Sequence, residues 1–210
     1  MSEEGESGEF EPMLRGVFRT LPAKRVIDVT QAPYHAVGDG ITMNTAAIQQ
    51  ALDDCTSRDR VVVPAGTFLT GALTMHSDSE LTVLRDGVLQ GSDDPADYEP
   101  RVWTRFEGSE CECYRSLINI GEMDHTKGFT TRHVTISGEG SILGGGAELM
   151  RRTIELQREA MKDEFAAMAD YVAPCENEDT IPARVRGRLI NIADAQDVEL
   201  SGLTVGRGPS

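Results

Sequence analysis

One tetrapeptide occurs twice in this chain. Leu117-Ile118-Asn119-Ile120 returns as Leu189-Ile190-Asn191-Ile192. Each copy is followed, after a polar stretch, by a strand-like run ending in Ser-Gly. The first is His133-Val134-Thr135-Ile136-Ser137-Gly138, and the second is Asp197-Val198-Glu199-Leu200-Ser201-Gly202. Leu81-Thr82-Val83 with Gly87 aligns on Val134-Thr135-Ile136 with Gly140. The repeat is irregular in length, as in a solenoid whose loops vary in size on one side. A single such unit cannot bury its inward side chains. Stacking sets aliphatic on aliphatic, and the corners need tight turns that favour Gly and Asn. Glycine makes up 21 of the 210 residues, above the usual share of about 7%, which fits a chain with many corners.

The spacing of the other apolar runs agrees. Strands are predicted at 25–29, at Val61-Val62-Val63, across 68–75 and at 81–84, with turn signals between them such as Gly38-Asp39-Gly40 and Pro64-Ala65-Gly66. The gaps are too short for the helix of about a dozen residues that a doubly wound sheet needs at each crossover. One helix is predicted over 45–55, with Asn44 as its N-cap and Ile48, Leu52 and Cys55 on one face. Laid across an open end of the coil, it would block edge pairing. A second helix is predicted as an insertion over 146–172. There Met150, Ile154, Met161, Phe165, Met168 and Val172 make an apolar stripe that packs on the outside of the coil. Residues 173–188 read as a loop back into it. The expected organisation is an acidic N-terminal arm over 1–22, then one β-helix domain over 23–210. The expected fold is an all-β solenoid: a right-handed parallel β-helix, incomplete at its C-terminus, with an N-terminal capping helix and one inserted α-helix.

Charge narrows the function. Twenty Lys and Arg stand against 35 Asp and Glu, a formal net charge of -15. Backbone phosphates and anionic headgroups would repel such a chain, so neither nucleic acid nor a membrane is an expected partner. No apolar run approaches the roughly 20 residues that span a bilayer. The acidic start, MSEEGESGEFEP, has no apolar signal core, which leads to an expected cytoplasmic location. The four cysteines are Cys55, Cys111, Cys113 and Cys175. Cys111-Glu112-Cys113 is too close for a zinc knuckle and no matching pair follows, so no metal and no cofactor are expected; free thiols are the preferred reading, with an intramolecular disulfide left open.

Several segments together resemble glycoside hydrolase family 28, the polygalacturonase-type enzymes. They are Gly38-Asp39-Gly40 followed by Asn44-Thr45-Ala46-Ala47-Ile48, Val62-Val63-Pro64-Ala65-Gly66-Thr67-Phe68, Gly87-Val88-Leu89-Gln90-Gly91-Ser92, Val134-Thr135-Ile136-Ser137-Gly138-Glu139-Gly140, and Arg186-Gly187-Arg188-Leu189-Ile190. The resemblance runs over roughly residues 25–210 and matches the N-terminal part of the family. One departure is that Gly144-Gly145-Gly146 runs into Ala147-Glu148-Leu149, where the family often has an aromatic pair. The resemblance implies hydrolysis of α-1,4-linked galacturonan with inversion, on a pectic oligo- or polysaccharide. It places the family's acids in an Asn-Thr-Asp segment and an Asp-Asp pair, followed by Gly-His-Gly and Arg-x-Lys. The sequence contains no Asn-Thr-Asp, no Gly-His-Gly and no Arg-x-Lys, so no catalytic residue is assigned and the chain alone is expected to be inactive. Asp93-Asp94 precedes Pro95 and reads as a surface turn.

Among candidate contacts, Arg186 and Arg188 alternate around Gly187 at the start of a strand. They suit bidentate binding of a uronate carboxylate, or pairing with the acidic 176–179 stretch. His125, beside Asp124 and Lys127, sits in a polar turn. Trp103 and Phe106, after Tyr98, suit either stacking on a sugar ring or packing on the coil wall. Two alternatives stay open. One is a non-catalytic β-helix module that binds polysaccharide or a partner protein. The other, ranked below it, is a pectate lyase-type helix, which would need clustered calcium ligands. An uncapped last coil is also expected to self-associate.

Overall fold

The computed structural model describes residues 22–106, 108–167 and 185–208. Most of the arm expected over 1–22 lies outside these residues, as do Cys175, the 176–179 acids and the end of the apolar stripe at Met168 and Val172. The chain begins with β1 (Arg25–Asp28), β2 (Asp39–Met43) and α1 (Thr45–Asp53). It then winds through three strand positions in fixed order. The first full turn is β3 (Asp59–Val63), β4 (Gly66–Thr70) and β5 (Leu73–Met75). The second is β6 (Glu80–Val83) and β7 (Gly87–Gly91), an excursion carrying the hairpin β8 (Val102–Phe106) and β9 (Ser109–Cys113), and then β10 (Ile118–Ile120). The third is β11 (Thr131–Gly138) and β12 (Ser141–Gly144), an excursion carrying α2 (Ala147–Ala160) and α3 (Lys162–Ala167), and then β13 (Ile190–Ile192). β14 (Ala195–Ser201) and β15 (Thr204–Arg207) follow.

Among the described residues the strands form three parallel sheets, ordered β1-β3-β6-β11-β14, β2-β4-β7-β12-β15 and β5-β10-β13, and only the β8–β9 hairpin is antiparallel. This is a right-handed parallel β-helix. Its interior is built from ladders of like side chains. In the first sheet, Ile27, Val61, Leu81, Ile136 and Leu200 stand in register through five strands. In the third sheet, Leu73, Ile118 and Ile190 do the same. Each inward residue meets its equivalent one coil away, so successive coils bury one another's faces, while Leu200, on the last strand of its sheet, is 40% exposed.

The literal repeat is a true register: Ile118, Asn119 and Ile120 pair with Ile190, Asn191 and Ile192. The Ser-Gly runs also pair as aligned, Val134 with Val198 and Ser137 with Ser201. The third alignment is displaced by two residues, because Leu81 pairs with Ile136 and not with Val134. The turn over 84–86 is longer than its counterpart at Glu139, with Asp86 at φ 64°. A shift of two keeps the same side chains pointing inward, so alternation alone cannot detect it.

Gly38-Asp39-Gly40 opens β2 with a local bend: Gly40 stands at φ 75° and Asp39 Oδ1 accepts from the Ile41 and Thr42 N–H groups at 2.8 and 2.7 Å. Local chemistry corrects a further expectation. Asn44 precedes α1 but makes no side-chain cap. Its buried amide instead accepts from the Val37 N–H at 2.7 Å and donates to the Val37 and Thr42 carbonyls at 3.0 and 2.6 Å. It staples the chain around β2. On the helix, Ile48 and Leu52 are buried as the spacing predicts; α1 ends at Asp53, two residues short of the expected end, and Cys55 joins the core from beyond it. The inserted helix is interrupted at Met161, between α2 and α3.

Asp59 ties the first two strands of the first sheet. Its buried carboxylate accepts from Arg25 Nε at 2.8 Å and Thr56 Oγ1 at 2.6 Å, and these donors, Arg25 foremost, hold its pKa down to about 2. An unfolded Asp titrates near 3.9. The stabilisation is therefore present above about pH 4 and is lost as pH falls toward 2. The Arg25 side chain is 70% exposed, so water and salt hold the gain to roughly 1 kcal/mol. Urea midpoints measured from pH 5 to pH 2 should fall less for Asp59→Asn than for the wild-type chain.

Candidate functional site: an arginine-lined corner

Both excursions leave the coil at the same corner, between the second and third sheets. In the earlier coil only Gly71 and Ala72 cross that corner. The excursions therefore stack on one another and enclose a cavity of about 440 Å³.

Short polar ties fix its walls. The first excursion opens with a 3-10 turn over Pro95–Tyr98, capped by Asp94, which accepts from the Ala96 N–H at 2.9 Å. Asp93 reaches across to accept from the Gly146 N–H at 2.7 Å, placing a carboxylate at the start of α2 where the helix dipole favours it. The aspartate pair read as a surface turn thus joins the two excursions. Tyr98 is buried and donates to the Ser92 carbonyl at 2.7 Å; burial pushes its pKa up, so it stays protonated. Arg101 lies 4.4 Å over the Tyr114 ring and donates to Gln157 of α2 at 3.1 Å. Leu149 of α2 packs on the core, and Thr153 is buried beneath the helix.

The cavity has an apolar floor that includes Leu117, Leu149 and Leu189, and a rim of four arginines: Arg115, Arg186, Arg188 and Arg207. No Asp or Glu lines it among the described residues. Arg115 donates to Thr74 Oγ1, and burial without a carboxylate lowers its pKa. The Arg188 N–H donates to Ser116 Oγ at 2.9 Å, which locks the two turns together. Arg186 Nη1 lies 3.5 Å from Met150 Sδ. Among the described residues no carboxylate forms an ion pair with Arg115, Arg188 or Arg207. This contrasts with Arg151 and Arg152, both paired with Glu148 on the outer side of α2.

The sequence-predicted pair Arg186 and Arg188 therefore does face a cavity. Arg115 and Arg207 were missed. A signal for Arg115 exists, since a basic residue stands just ahead of each copy of the Leu-Ile-Asn-Ile repeat. The other candidates lie elsewhere. His125 is exposed and pairs with Glu110 at 3.0 Å, which raises the His125 pKa; His125 and then Arg105 hold Glu110 at about 2. Trp103 is 55% exposed on the hairpin. A second aspartate pair, Asp53-Asp54, ends α1, where Asp53 pairs with His76 at 2.7 Å and Asp54 accepts from Tyr34 Oη at 3.0 Å. Among the described residues no cluster of His, Cys, Asp and Glu is placed to hold a metal ion. No described helix is long and apolar enough to cross a membrane.

Fold and corner together define a parallel β-helix with an arginine-lined cavity. The chain is 40% identical over 127 residues to an exo-poly-alpha-D-galacturonosidase of Dickeya chrysanthemi, a stretch covering 60% of this chain and 21% of that protein. Its fold matches the family 28 exopolygalacturonase of Yersinia enterocolitica with a TM-score of 0.67 at 27% identity, over 87% of this chain and 34% of that one. It also matches a hyperthermoactive exopolygalacturonase of Thermotoga maritima with a TM-score of 0.61 at 25% identity, over 86% of this chain and 41% of the other. The polygalacturonase of Erwinia carotovora shares the fold, with a TM-score of 0.54 at 20% identity over 92% of this chain and 44% of the other. No protein-family model matches the chain. The chain thus resembles family 28 exopolygalacturonases in sequence and in fold, and it spans only about a fifth of the curated relative's length.

Proposed function

We propose that this chain forms the N-terminal coils of a glycoside hydrolase of the polygalacturonase type, and that its arginine-lined cavity receives the carboxylates of an α-1,4-linked galacturonosyl chain. One observation carries the reading: in a chain of net charge -15, four arginines and no described carboxylate line one cavity. A polyanion approaching the average surface is repelled, and only a local reversal of sign admits it. A guanidinium fork matches a carboxylate in two parallel hydrogen bonds. Arg115 is desolvated with only the Thr74 hydroxyl and no described carboxylate as partner, so an entering anion offsets that cost. The apolar floor suits the carbon face of a sugar ring.

Inverting hydrolysis needs two carboxyl groups about 6.5–9.5 Å apart, one to protonate the leaving oxygen and one to activate water. The described lining supplies neither. In this reading the 210 residues bind and orient substrate but do not cleave it. Calorimetric titration should show binding of oligogalacturonides and none of neutral galacto-oligosaccharides. Arg115→Gln and Arg188→Gln should each weaken binding roughly 10-fold or more, as expected for a lost charge-assisted pair worth about 1.5–3 kcal/mol. Equal affinity for the neutral sugar would overturn the assignment of the cavity. Release of reducing ends by the purified chain would overturn the division between binding and cleavage.

A further inference from the structure

The hairpin beside the cavity carries a feature that sugar binding does not use. Cys111 and Cys113 lie two apart on β9 and so project from the same face, with their sulfurs 3.5 Å apart. Cys111 is half-buried and Cys113 is 1% exposed. The next two residues are Tyr114 and Arg115, both of which line the cavity. The Tyr114 N–H donates to the Val185 carbonyl at 2.7 Å and the Arg115 N–H to the Tyr98 carbonyl at 3.0 Å, so β9 runs directly into the cavity wall.

We propose that Cys111 and Cys113 are a reversible dithiol–disulfide couple whose closure resets the wall formed by Tyr114 and Arg115. The sulfurs must approach from 3.5 Å to the bond length of about 2.05 Å. Closing so small a ring puckers β9 and pulls on the residue next to the wall. A strained link of this kind is readily reduced, as suits a switch rather than a permanent brace. Burial, and then the neighbouring Cys111, push the Cys113 thiol up to about 12, which leaves the more accessible Cys111 to react first. With a hydroperoxide as oxidant, the Cys111 thiolate attacks one peroxide oxygen. The O–O bond breaks and leaves as alkoxide or hydroxide, giving a sulfenic acid. The Cys113 sulfur then attacks the Cys111 sulfur, and the S–O bond breaks. Hydroxide departs and takes up the Cys113 proton as water. Two thiols and one hydroperoxide thus give one disulfide, one alcohol or water, and one water. A dithiol reductant reverses the bond by exchange.

The test uses the full chain with Cys55→Ser and Cys175→Ser, treated with equimolar hydrogen peroxide and then with excess dithiothreitol. Intact mass should show loss of two hydrogens, peptide mapping should place the link between 111 and 113, and dithiothreitol should restore the starting mass. Trp103 is the sole tryptophan and pairs across the hairpin with Glu112, between the two cysteines, so its emission should shift reversibly. Amide exchange over 114–117 should change at least tenfold between the two states. Cys111→Ser should abolish all three responses, as should Cys113→Ser where that variant folds. Sulfinic acid at Cys111 with Cys113 still a thiol would overturn the proposal. So would a disulfide that leaves both the emission and the exchange unchanged. None of these readouts needs a sugar ligand, so they stand apart from the assignment of the cavity.

Discussion

Gly138→Ala is expected to cost the fold more than about 3 kcal/mol. Gly138 stands at φ 126°, a backbone region that residues with a Cβ rarely occupy. Strain of this kind costs about 1–3 kcal/mol by itself. The surroundings make it worse. Gly138 is in register with Val83 one coil earlier, and a methyl group there would run into the Val83 carbonyl oxygen and lie 2.8 Å from its carbonyl carbon. Both atoms are backbone, so no side chain can swing away. The coils must part instead, and parting β6 from β11 opens the ladder of Ile27, Val61, Leu81, Ile136 and Leu200 at its centre. Gly128→Ala is the matched control. That residue also has positive φ, 69°, but an added Cβ meets nothing within 4 Å. Its cost should stay near 1 kcal/mol, the penalty for the left-handed backbone alone. Urea midpoints of the two variants separate strain from collision. Equal midpoints would mean that the coils are not in contact at this corner, and loss of soluble protein for Gly138→Ala alone would agree with the collision.

The same ladders explain which parts of the fold could be read from the chain. A solenoid repeats its environment, so Leu117-Ile118-Asn119-Ile120 and its second copy face equivalent neighbours and keep equivalent residues. That is why the repeat is literal and its register readable. Asn44 shows the opposite case. Asn before a helix normally signals a cap, yet this one bonds to the Val37 and Thr42 backbone, because β2 brings those groups within reach and nothing local announces it. The cavity was half legible. Arg186 and Arg188 flank a strand start and could be picked out. Arg115 and Arg207 join them only because successive excursions leave the coil at one corner, and the stacking of coils is a long-range fact. The turn at Asp93-Asp94 was legible, but the contact Asp93 makes was not, since its partner, the Gly146 N–H, lies 53 residues away.

Asn119→Ala is expected to cost about 2–4 kcal/mol and to weaken uronate binding at a distance. Asn119 is buried and does not line the cavity. Its Nδ2 donates to the Leu73 carbonyl at 3.0 Å and to the Ser116 carbonyl at 2.7 Å, while its Oδ1 accepts from the Ser116 N–H at 3.0 Å. Alanine strands these buried groups, and each orphan costs about 1–3 kcal/mol, reduced where the turn can relax toward water. Relaxation is what would reach the cavity. Ser116 receives the Arg188 N–H on its hydroxyl, and the residue before it is Arg115. A turn freed from Asn119 therefore misplaces two of the four guanidinium groups while leaving their charges intact. Oligogalacturonide affinity should fall roughly 5-fold or more, as expected when bidentate geometry is lost but Coulomb attraction remains. Its dependence on salt should stay nearly unchanged, unlike that of Arg188→Gln, which removes a charge. Asn191→Ala supplies the comparison: Asn191 is in register one coil on but makes none of these bonds among the described residues, so it should cost less than half as much. If Asn119→Ala lowers the urea midpoint but leaves affinity untouched, the turn is not what positions the arginines, and the cavity holds its shape from α2 and the hairpin alone.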